Sequence, residues 1–120
     1  MLDHIIIGVS DLQRSRGFYE RSLAPLGMSI VLEFPSGAGF GRQGKPWFWI
    51  AEGRPVGPMH VAFTAPDRPT VDAFHAAALE AGGSDNGPPG VRDVYHPTYY
   101  GAFVHDPDGY NVEAVCHTPG

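Results

Sequence analysis

Two kinds of hydrophobic spacing take turns along this chain. Short runs rich in β-branched and aromatic residues, Asp3–Val9 and Met59–Ala65, carry the alternation of strands. Each is followed by a stretch whose apolar residues return near helical spacing: Leu12, Tyr19, Leu23 and Leu26, then Val71, Phe74, Ala78 and Ala81. Ser10 with Gln13 predicts a capping box for the first helix, and Asp67 with Pro69 opens the second. Pro25 and Gly27 end the first helix, and Gly82-Gly83 ends the other. Shorter strand candidates follow: Met28–Phe34, Phe40–Arg42 and Trp47–Glu52, then a weak one near Val91–Val94, Tyr99–His105 and Tyr110–His117. The segment Asp106-Pro107-Asp108-Gly109 reads as the turn of the last hairpin.

The two halves repeat one another. A shift of 56 positions pairs His4 with His60, Asp11 with Asp67, Phe18 with Phe74, Leu23 with Leu79 and Gly27 with Gly83. Each half therefore reads β-α-β-β-β, as modules of about 1–52 and 59–117 joined by a linker at 53–58. Three strands in a row without a helix between them favour an α+β fold over a parallel α/β sheet. The expectation is two tandem βαβββ modules, a mostly antiparallel, cup-shaped sheet with its helices outside, and one domain.

Alternation sorts the polar side chains. Ile5, Ile7 and Val9 pack toward the first helix, which sends His4 to the other face; Val61 and Phe63 do the same for His60. In the last strand Glu113 shares the face away from the helix with Asn111, Val115 and His117. Pairing residue 105 with 110 puts Tyr100 beside Val115, on the face of Glu113. A carboxylate among Val and Ala needs charge compensation. Two imidazoles and a carboxylate meeting on one face form a usual ligand set for a catalytic divalent metal, with positions open for substrate.

Charge and cysteine content narrow the choices. The net charge is −5 with no basic stripe, which argues against nucleic acid. Cys116 is the only cysteine, so an intramolecular disulfide and a cysteine-cluster zinc site are excluded. No apolar run is long enough to span a membrane, and the first residues lack the pattern of a signal peptide; the expected location is the cytoplasm. Gly and Pro supply 28 of the 120 residues, so turns should be plentiful.

The runs DHIIIGVSDLQRSRGFYERSL, MHVAFTAPDRPTVDAFHAAALEAGG and HDPDGYNVEAVCH resemble the vicinal oxygen chelate superfamily, which includes glyoxalase I, bleomycin- and fosfomycin-resistance proteins, extradiol dioxygenases and methylmalonyl-CoA epimerase. The resemblance implies paired βαβββ modules around a metal, with ligands at His4, His60 and Glu113. A fourth ligand position, Glu or Gln in glyoxalase I and the epimerase, falls on Trp49 when DPDGYNVEAV is laid over RQGKPWFWIA. Tryptophan cannot ligate, so the chain is more similar to the three-ligand members. The resemblance also implies a homodimer, in which His4 could reach His60 and Glu113 of the partner copy.

The leading expectation is an enzyme, a metal-dependent lyase, transferase, isomerase or dioxygenase acting on a small oxygen-rich substrate. The cofactor would be one divalent ion per site (Zn, Mn, Fe or Ni) acting as a Lewis acid. Glu113 and Tyr100 are the catalytic candidates, and Trp47, Trp49, His96 and Tyr100 the substrate contacts. The alternative is a metal-free module that sequesters a drug between tryptophans, in the manner of the bleomycin-binding members.

Overall fold

Alternation and helical spacing produce the predicted elements in the computed structural model, which describes all 120 residues. In the first module they are β1 (Ile5–Val9), α1 (Leu12–Leu23), β2 (Ser29–Phe34), β3 (Gly37–Arg42) and β4 (Lys45–Glu52). In the second they are β5 (His60–Thr64), α2 (Arg68–Glu80), β6 (Ser84–Val91), β7 (Tyr100–His105) and β8 (Asn111–Cys116). Each module forms its own four-stranded mixed sheet, ordered β1-β4-β3-β2 and β5-β8-β7-β6. The outer pairs β1–β4 and β5–β8 are parallel and the rest antiparallel, so the repeat read from the sequence is a repeat of topology.

The helices lie against one face of the sheets and against each other. Val71, Phe74 and Ala78 of α2 and Phe18, Tyr19 and Leu23 of α1 are buried, joined by Ile7, Val9, Phe48, Ile50, Val104, Val112 and Ala114 from the strands. Phe48 of the first module meets Phe63 of the second edge-on at 5.4 Å, so one core runs through both modules. Asp67 caps α2 by accepting from the Thr70 amide at 2.9 Å, as predicted.

Three local predictions need correction. Asp11, not Ser10, caps α1, accepting from the Arg14 amide at 3.1 Å. Ser10 is instead drawn to Asp108 of the β7–β8 turn, which receives both its backbone N–H and its hydroxyl. The weak strand lies earlier than Val91–Val94, at Ser84–Val91, and contains Pro88 and Pro89. It is an edge strand with irregular register, where a missing N–H is tolerated. The last hairpin pairs His105 with Asn111, one residue beyond the expected partner. No helix is long and apolar enough to cross a membrane.

Candidate functional site

Strand β8 carries Glu113 on the sheet face away from α2, and parallel β5 beside it carries His60. The Glu113 side chain is only 1% exposed while that of His60 is half exposed. His60 Nε2 lies 2.8 Å from Glu113 Oε1, and an ionised carboxylate can only accept, so the imidazole donates. The second oxygen, Oε2, accepts from the hydroxyl of Tyr99. Burial first, then the hydrogen bond and charge of Glu113, push the Tyr99 phenol far above its ordinary value, so it stays protonated.

The register decides which tyrosine reaches the carboxylate. Phe103 stands opposite Glu113 and Gly101 opposite Val115, so Tyr99, Gly101 and Phe103 share the open face. Tyr100 points the other way, donating to Asp72 of α2 at 2.6 Å with the Arg68 guanidinium over its ring. The catalytic and substrate-contact roles expected of Tyr100 thus have no support in its placement, and Tyr99 stands where it was expected. Gly101 is a close approach: a Cβ there would be 3.2 Å from Glu113 Oε2.

His4 is not part of this group. It precedes β1 on the other sheet, exposed, with Nδ1 2.8 Å from Asp3 Oδ1. Strands β1 and β5 do not pair, and His4 does not join His60 and Glu113 in one ligand group within the chain. No three His, Cys, Asp or Glu side chains lie close enough to hold a metal ion. The donor types of His60 and Glu113 suit a divalent metal, and a single chain supplies two of the three expected ligands.

Trp49 lines a cavity of about 490 Å³ together with His4, Ile6, Phe34 and Lys45. Its indole lies over Gly39, where a Cβ would come within 2.8 Å of the ring, and Phe34 runs nearly parallel to it at 6.1 Å. Trp47 does not share this cavity. A bulge opposite Phe40 and Gly41 leaves Trp47 without a partner, and it lies near Leu26, Met28 and Ala62, 5.2 Å from the Arg42 guanidinium.

His96 sits in the loop after β6, with its Nε2 2.9 Å from His117 Nδ1 and its Nδ1 accepting from the Thr98 amide. That amide fixes His96 as the Nε2–H tautomer, donating to His117. Both imidazoles touch the Tyr99 ring edge-on at 5.4 Å, one residue removed from Glu113. Sequence reasoning missed Tyr99 and Arg92; the latter's guanidinium lies 5.5 Å from the Phe103 ring centroid.

A family model described as the Glyoxalase/Bleomycin resistance protein/Dioxygenase superfamily matches residues 1–114. A glyoxalase/bleomycin resistance protein from Albidiferax ferrireducens T118 is 30% identical, with a TM-score of 0.82 over 96% of this chain and 97% of that one. A glyoxalase/bleomycin resistance protein/dioxygenase family enzyme from Burkholderia phytofirmans PsJN is 18% identical, with a TM-score of 0.76 over 98% of both chains. Lactoylglutathione lyase from Agrobacterium tumefaciens is 19% identical, with a TM-score of 0.67 over 94% of this chain and 90% of that one. These last two similarities establish the fold alone. No curated protein matches the chain.

Proposed function

The chain belongs to the glyoxalase/bleomycin resistance protein/dioxygenase superfamily, and from that premise we propose that it is a metal-dependent enzyme acting on a small oxygen-rich molecule. The observation that carries this reading is Glu113: a carboxylate 1% exposed, met on one oxygen by His60 and on the other by Tyr99. No Lys or Arg forms an ion pair with it. A buried carboxylate with only an imidazole and a phenol for company is poorly compensated, and a divalent cation would supply the missing charge.

His60 and Glu113 would hold the ion, with His4 of a second copy completing the set in a homodimer. When bound, the ion would act as a Lewis acid toward adjacent substrate oxygens. Tyr99 holds Glu113 Oε2 and keeps that carboxylate oriented, and the half-exposed imidazole of His60 faces the space where substrate would enter. His96 and His117 border that space through Tyr99. Protein purified without chelator should carry about one Zn, Mn, Fe or Ni ion per site by elemental analysis. His60→Ala and Glu113→Ala should lose most of it, and turnover of a panel of hydroxy-ketones, epoxides and diols should fall with it. His75→Ala, which breaks only a 2.8 Å contact to Asp85, should retain the ion.

A second reading rests on the Trp49 cavity. Trp49 and the nearly parallel Phe34 line this cavity with Lys45 and His4, an aromatic setting suited to sequestering a planar drug without a metal. Ligand binding that survives Glu113→Ala but is lost in Trp49→Ala would favour this reading over the first.

A further inference from the structure

The open face of the second sheet carries a guanidinium that neither the fold nor the proposed metal site accounts for. Arg92 follows β6, and its backbone N–H donates to the Tyr99 carbonyl at 2.7 Å, which puts it in step with Tyr99 beside β7. Its guanidinium lies 5.5 Å from the centroid of Phe103, the residue directly opposite Glu113. The His60 ring is 6.0 Å from that same Phe103 ring. Arg92 and the His60–Glu113 pair therefore share Phe103 as a common neighbour.

The seat of Arg92 is shaped by its neighbours. A Cβ on Gly87 would stand 3.2 Å from Arg92 Nη2 and 3.0 Å from the Phe103 ring, and one on Gly90 would stand 3.1 Å from Nη1. Gly87 also has φ +149°, a conformation that L side chains rarely adopt. The bulged NGPPGVR segment thus lets the guanidinium lie down over Phe103, where Nη2 donates to the Pro88 carbonyl at 2.6 Å. Beyond that bond the fork of donors has no protein partner, and no carboxylate forms an ion pair with it. A half-buried, pre-positioned guanidinium with free donors is an oxyanion seat.

We propose that Arg92 is a specificity-determining residue that binds a carboxylate on the part of the substrate far from the oxygens held at His60 and Glu113, beside the shared Phe103 ring. This rests on the reading that the open face of the second sheet is the substrate site. A monoanion suits the seat better than a phosphate dianion, because the chain's net charge is −5 and the seat offers a single guanidinium.

A matched pair of probes tests it: 3,4-dihydroxybenzoate and catechol, which share two vicinal oxygens and differ by one carboxylate. Their binding to the Zn²⁺-supplied protein is followed by calorimetry. Wild type should bind the acid about tenfold more tightly than catechol; Arg92→Gln should erase that preference and leave catechol binding as it was. Arg92→Lys, which keeps the charge without the fork, should recover part of it. Equal binding of the two probes by wild type, a preference that survives Arg92→Gln, an equal loss for both probes in that variant, or no binding of either would each overturn the proposal. Glu113→Gln separates this from the metal reading. If it weakens both probes alike, the metal site stands whatever Arg92 does; acid binding that needs Arg92 but neither Zn²⁺ nor Glu113 keeps the carboxylate seat and removes the metal reading.

Discussion

Glu113 is buried, and each of its two oxygens is met by one side chain. Removing the Tyr99 hydroxyl leaves Oε2 without a donor inside the sheet. Tyr99→Phe should therefore cost about 1–3 kcal/mol in chemical denaturation, whereas Tyr100→Phe, which loses a surface bond to Asp72, should stay within about 0.5 kcal/mol. Equal effects of the two would refute the face assignment. The sequence pointed to Tyr100 because a four-residue turn was the simplest reading of DPDG. The Asp106 carboxylate accepts from both the Asp108 and Tyr110 amides, and the Asp106 N–H donates to the Tyr110 carbonyl. Together these carry the loop through Tyr110, and a slip of one residue exchanges the faces of a whole strand. His60 and Glu113 were legible because their faces follow from alternation within their own strands. Trp49 has its own test: Gly39→Ala would force the indole off the sheet, and should shift tryptophan emission and cost about 1–3 kcal/mol.

Between elements, the most consequential contacts run from the β7–β8 turn to α1 and β1. Asp108 receives Ser10 at the start of α1, Asp106 receives the buried Tyr19 hydroxyl from its middle, and the Tyr110 hydroxyl donates to the Gly8 carbonyl. The DPDGY segment is therefore a clasp between modules as well as a turn. Neither half's periodicity reveals this, since the partners are about a hundred residues apart in sequence. Burial raises the Asp106 pKa above its ordinary value, and the Tyr19 hydrogen bond opposes that rise. A carboxylate with a raised folded pKa contributes stability at low pH that is lost as pH rises through that pKa. Tyr19→Phe removes the opposing bond and raises the pKa further. Its deficit, about 1–3 kcal/mol at pH 7, should shrink as pH falls toward the ordinary carboxylate range. Urea denaturation at several pH values checks this; a deficit independent of pH would mean that Asp106 does not feel the loss. The edge strand β6 was misplaced for a related reason: its two prolines argue against a strand in general, but not at a sheet edge.

At the scale of the whole molecule, one chain holds His60 and Glu113 on the paired strands β5 and β8 and His4 just ahead of β1 of the other sheet, and β1 does not pair with β5. The repeat was legible from identities such as His4 with His60, but a repeat gives the likeness of two modules and not how they face each other. If His4 acts in the same site as the other two, a second copy has to bring it. Symmetry then makes a definite demand on mixed dimers. In a heterodimer of His4→Ala with Glu113→Ala, one site combines both defects. The other combines the intact His4 of the Glu113→Ala chain with the intact His60 and Glu113 of the His4→Ala chain. At equal mixing, half of the dimers are mixed and each has one sound site, so about one quarter of the wild-type metal-binding capacity should return. Each variant alone should have almost none. The test reads bound metal after the variants are unfolded together and refolded, with the dimer confirmed by light scattering. Recovery near one quarter would establish a site built from two chains. A dimer with no recovery would place His4, His60 and Glu113 in one site within one chain, and a monomer that binds the ion as tightly as wild type without His4 would leave His4 to its contact with Asp3.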